Sequence, residues 1–182
     1  MDRSNHYEAA FEAYLQAQRH CYVAVDETRR ATLGEMRVKN LDFIVHCPGP
    51  HRLLIDVKGR RYPAGPEHRQ RRVWECWSTR GDIDGLEQWQ TMFGPGYQGL
   101  LVFVYHILPC VTLPDDIEDL WLFRGRRYLL RAVSAEDYRR HMRTRSPRWE
   151  TVTLPRQAFR ELVQPFKAFT LGPQAVSQEC PF

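Results

Sequence analysis

The stretch LDFIVHCPGPHRLLIDVKG, residues 41–59, decides the fold. Two short runs rich in β-branched and aromatic residues, Leu41–Cys47 and His51–Gly59, flank Pro48-Gly49-Pro50, a tripeptide that cannot continue a strand and favours a turn. The spacing predicts an antiparallel hairpin. Asp56 and Lys58 are two residues apart, so they project from one face of the second strand while Val57 points into apolar packing on the other. A carboxylate and an ammonium in an apolar strand cost free energy unless they are paired or bound to something, which makes their placement informative. Asp42 opens the first strand, and the hairpin lays it beside the second. Two carboxylates that close repel one another unless a divalent cation sits between them.

Working outward, residues 5–19 read as a helix, capped by Ser4 or Asn5, with Tyr7, Ala10, Phe11, Tyr14 and Leu15 on one face that packs on a sheet. CYVAV at 21–25 is β-prone. Beyond the hairpin, a loop rich in Pro, Gly and Arg leads to VWECWS, and Asp82 or Asp84 opens a helix with Leu86, Trp89 and Phe93 on one side, ended by FGPG. GLLVFVYHI at 99–107 is continuously apolar, as a strand covered on both faces is. LWLFRGRRYLLRAV reads as a second hairpin, SAEDYRRHMRTR as a basic helix and TLPRQAFRELV as a C-terminal helix with Pro155 in its first turn. The order predicts an α/β protein, a mixed central sheet flanked by helices with a C-terminal hairpin and helix extension. One domain is expected over 1–172, with a frayed tail over 173–182.

Composition agrees: 182 residues with 43% hydrophobic and 26% charged side chains supply a core and exclude a disordered or low-complexity chain. GLLVFVYHILPCV is well short of the ~20 residues a membrane-spanning helix needs, and the N-terminal stretch has no signal-like apolar run, so a cytoplasmic protein with no membrane partner is expected. The five cysteines form no C-x-x-C pair, which gives neither a disulfide framework nor a zinc site. Of the 26 basic residues only three are lysine. Arginine forks suit phosphate, although a GC-rich genome yields the same bias. Their distribution says more: Arg60, Arg61, Arg69, Arg71 and Arg72 come directly after the Asp56–Lys58 strand and are candidates for phosphate contact.

Oxygen ligands without His or Cys partners suit Mg²⁺ or Mn²⁺, whose usual task beside phosphate is phosphodiester chemistry. On this reading Asp42, Asp56 and the Val57 carbonyl hold the metal. Lys58 orients hydroxide and offsets charge on the phosphorane, and Glu8 completes the shell. The arrangement of Glu8, Asp42 and Asp56-Val57-Lys58 resembles the PD-(D/E)XK, or restriction-endonuclease-like, nuclease superfamily over roughly residues 5–107, and the Asp42–Asp56 hairpin is similar to that of its small Holliday-junction-resolvase-like members. HYEAAFE at 6–12 is similar to the motif that names the HYExAFE proteins. The superfamily's Pro before the first Asp is Leu41 here, and Asp rather than Glu fills position 56.

The resemblance implies a metal-dependent nuclease acting on DNA, branched or damaged forms included, as in repair or recombination, with a homodimer suited to cutting both strands. Each assignment has a plainer alternative. Asp56 and Lys58 can form a structural ion pair, Glu12 can replace Glu8, and His6 and Gln90 can line the cleft or sit idle. The tryptophans can stack on bases or fill the core. A fold that binds nucleic acid without turnover, or an interaction protein with no nucleic-acid role, would share the same basic surface.

Overall fold

The computed structural model describes residues 5–25, 32–33, 36–37, 41–48, 51–114, 117 and 119–171. The expected tail over 173–182 lies outside them. Helix α1 (His6–Ala17) starts where Asn5 accepts the Tyr7 N–H on its side chain, the expected cap. After β1 (Cys21–Ala24) come the two-residue strands β2 (Thr32–Leu33) and β3 (Met36–Arg37), then the predicted hairpin, β4 (Phe43–His46) and β5 (Arg52–Tyr62). They pair antiparallel, with Phe43 opposite Ile55 and His46 opposite Arg52. A single 3-10 turn (Glu67–Arg69) precedes β6 (Ser78–Thr79) and α2 (Arg80–Phe93). Strand β7 (Tyr97–Ile107) then runs parallel to β5 over its whole length.

Strand β8 (Leu120–Phe123) and strand β9 (Arg126–Ser134) form the second predicted hairpin, turned by Arg124 and Gly125, both at positive φ. The basic helix is shorter than predicted: α3 (Ala135–His141) stops, and Arg143–Ser146 becomes β10, pairing with β11 (Thr151–Thr153). Helix α4 (Arg156–Leu162), β12 (Gln164–Pro165) and α5 (Lys167–Thr170) complete the chain, with Pro155 at the cap of α4.

The result is a mixed α/β sheet flanked by helices. Its seven strands run in the order β1-β4-β5-β7-β9-β12, with β8 beside β9. Helix, hairpin, helix and the continuously apolar strand succeed one another in the order read from the sequence. Alternation along β5 divides the core in two. Leu53, Ile55 and Val57 face α1 with Phe11, Leu15 and Phe43, whereas Leu54 faces α2 with Ile83, Leu86 and Leu101. Full burial of side chains such as Phe11 and Leu15 contributes about 1.5–3 kcal/mol each.

Glycine 59 lets α1 approach the sheet: a Cβ there would collide with the ring of Tyr7. Gly59→Ala should therefore destabilise the protein by about 1–3 kcal/mol, because the ring or strand must shift. A thermal melt checks this, and an unchanged melting temperature would show that Tyr7 does not press on the strand.

Candidate active site

Strand β5 carries the centre. Asp56 and Lys58 lie on its α2 face, as the two-residue spacing requires, and Lys58 Nζ is 2.6 Å from Asp56 Oδ2. Both side chains are nearly buried. The same ammonium lies 3.1 Å from Oδ2 of Asp82. Asp82 is a member of the site that sequence reasoning missed, having given it a role only as a helix opener. Thr79 caps α2 instead, accepting the Asp82 N–H at 3.2 Å, while the Asp82 carboxylate accepts the Thr79 N–H and the Ser78 hydroxyl, each at 2.7 Å. The Thr-x-x-Asp spacing at 79–82 was the available signal, since such a capping box fixes a carboxylate at the first turn. Lys58 thus bridges a strand carboxylate and a helix-terminal one.

Asp42 precedes β4 by one residue and extends its ladder, donating its N–H to Ile55 O at 2.8 Å. Its buried carboxylate accepts the Val57 N–H at 2.5 Å. Asp42 is therefore anchored to the residue between Asp56 and Lys58. Among the described residues no group of three His, Cys, Asp or Glu side chains stands together as a metal shell. Glu8 lies in the first turn of α1, which packs on the other face of the sheet, and it accepts a 2.5 Å hydrogen bond from Asn5. The remaining donor set, two carboxylates and a backbone carbonyl, still fits Mg²⁺, an ion commonly held by one or two carboxylates and otherwise by water and phosphate oxygens.

The other candidates have separate placements. Glu12 accepts from the Tyr22 hydroxyl at 3.0 Å and so ties α1 to β1. Gln90 accepts the Gly99 N–H at 2.9 Å, fixing the start of β7 against α2. Arg60 is a correction to the expected phosphate contacts. Because β5 continues to Tyr62, its position is inward-facing: the side chain is buried, its guanidinium lies 3.9 Å from the Trp77 ring centre, and it donates to the carbonyls of Gly59 and Trp77. Arg61, on the α1 face, donates to Gly65 O. Arg69, Arg71 and Arg72 are exposed, with Arg71 3.6 Å from Glu75.

His6 pairs with the Tyr128 hydroxyl at 2.9 Å and meets His106 edge to face. Burial, with Arg126 nearby, holds the pKa of His6 below its usual value; burial, Arg126, His6 and Arg61 do the same to His106. A base whose folded pKa is depressed binds fewer protons in the folded state than when unfolded. Its contribution to stability is full above the unfolded value near 6.5 and is lost as pH falls through the folded one. The melting temperature should therefore fall between pH 7 and pH 5, and His106→Gln should flatten that fall. An equal fall in the variant would place the acid sensitivity elsewhere.

No protein-family model matches the chain. Among solved structures it is similar to Hjc, a Holliday junction resolvase from the archaeal hyperthermophile Archaeoglobus fulgidus, with 12% sequence identity and a TM-score of 0.48, covering 86% of this chain and 92% of that one. No helix among the described residues is long and apolar enough to cross a membrane.

Proposed function

We propose that the protein is a divalent-metal-dependent nuclease of the PD-(D/E)XK type, akin to the HYExAFE proteins, that hydrolyses DNA phosphodiester bonds. The observation that carries this reading is the Asp42–Val57–Asp56–Lys58 arrangement: two buried carboxylates on neighbouring strands, Asp42 held by the Val57 N–H and Asp56 paired with the Lys58 ammonium. Asp42, Asp56 and the Val57 carbonyl would hold Mg²⁺ or Mn²⁺, which supplies Lewis acidity toward a phosphate oxygen and an acidified water. Lys58, positioned by Asp82, orients the attacking water and offsets charge on the pentavalent phosphorus.

The exposed Arg69, Arg71 and Arg72 supply phosphate contacts that fix the strand without reading sequence. The substrate is DNA, branched or damaged forms included, and a homodimer would present two such centres to two strands. The test is a cleavage screen of branched, nicked, single-stranded and blunt duplex DNA with and without Mg²⁺. Cleavage of at least one form that needs the metal is expected. Salt-dependent binding with no cleavage of any form would instead make the chain a binding module.

A further inference from the structure

A cavity of about 710 Å³ is walled by the segment 71–77, by β10 and by the start of α4. Five arginines line it, Arg71, Arg72, Arg145, Arg156 and Arg160, all of them exposed. Among the described lining residues Glu75 is the single carboxylate, and it already faces Arg71. Such a charge balance selects a polyanion, and guanidinium forks suit phosphate.

The same wall is aromatic. Tyr62 and Trp74 stack in parallel, with centroids 3.8 Å apart and planes 8° from one another, and Trp74 rests edge-on against buried Tyr105. The wall is also held in place: the Tyr105 hydroxyl donates to Glu75 O at 3.0 Å, and the Tyr138 hydroxyl donates to Cys76 O at 2.7 Å. A preformed ring stack amid guanidiniums matches a nucleotide, whose base extends the stack while its phosphate meets the arginines. In a blunt duplex the base faces are covered by neighbouring pairs, so the match is to an unpaired nucleotide.

We infer that this cavity binds an unpaired nucleotide of a single-stranded DNA segment and leads that strand to Lys58. The cavity wall and the centre are joined by contacts along the chain. Arg60, two residues after Lys58 on the same face of β5, donates to Trp77 O and covers the Trp77 ring, and the next residue, Ser78, holds Asp82. The inference deepens the nuclease reading by naming its substrate class, single-stranded or branched DNA, and depends on that reading for the cleavage step alone, not for binding.

The test measures fluorescence anisotropy of labelled (dT)12 and of a 12-base-pair blunt duplex, without metal, on the wild-type chain and on the double variant Arg145→Glu/Arg160→Glu. Both substitutions are at exposed positions, and a thermal melt confirms that the variant is folded. The wild type should bind (dT)12 about tenfold more tightly than the duplex, and the variant should lose about tenfold or more of its (dT)12 affinity with a smaller loss for the duplex. Equal affinity for both DNAs, or a folded variant that binds (dT)12 as the wild type does, would overturn the inference. Competition by poly-glutamate as strong as that by (dT)12 would also overturn it, in favour of an acidic peptide. Failure of the nuclease reading has a different signature: (dT)12 preference intact, with no cleavage when Mg²⁺ is added.

Discussion

Asp56→Asn should lower the Mg²⁺-dependent cleavage rate by on the order of 10³-fold or more, while leaving DNA affinity close to that of the wild type. The substitution is nearly isosteric and keeps the side chain on the α2 face of β5, but it removes the negative charge that would hold the cation. On the proposed reading DNA affinity would rest on the exposed arginines of the loop after β5 and around the neighbouring cavity, whereas the ion pair of Asp56 is with Lys58. Single-turnover cleavage and equilibrium binding, measured on the same preparations, separate the two quantities. Equal losses in both would mean that Asp56 supports the binding surface rather than the reaction.

Lys58→Ala should produce a large loss of stability. The ammonium sits 2.6 Å from Asp56 and 3.1 Å from Asp82, and both carboxylates are almost wholly buried. Removing it leaves two buried carboxylates without their shared cation, and breaking a buried ion pair from one side costs about 3–5 kcal/mol. If Asp42 and Asp56 hold the ion as proposed, Mg²⁺ added to the variant should recover part of that loss by binding the folded state. On the proposed mechanism the rate should fall as well, because the charge that would offset the phosphorane is gone. A melting temperature near that of the wild type, read by circular dichroism, would refute the bridging role. Normal cleavage by a folded but destabilised variant would reduce Asp56 and Lys58 to a structural pair.

The hairpin was legible because its signals are local: two short β-prone apolar runs, a Pro-Gly-Pro break and a two-residue spacing between charges. These place Asp42, Asp56 and Lys58 without knowledge of the rest of the chain. Two features were not legible for physical reasons. Strand β5 continues to Tyr62 because β7 pairs with it along eleven residues, a long-range contact that no local propensity announces, and this turns Arg60 inward onto Trp77. In the same way, Arg143–Ser146 leaves the basic helix to pair with β11, which builds one wall of the cavity. Asp82 lay between these cases. Its spacing from Thr79 signals a cap, but its reach to Lys58 depends on how α2 lies across β5.

The most direct measurement is a metal add-back assay on the DNA form that the chain binds best. Purified protein is treated with EDTA, mixed with labelled DNA, and supplied with Mg²⁺, in parallel with Asp56→Asn carried through the same purification. A metal centre at Asp42 and Asp56 requires no cleavage after chelation, restored cleavage on adding Mg²⁺ to the wild type, and none in the variant despite equal binding. Cleavage that survives chelation, or that appears equally in Asp56→Asn, would contradict it.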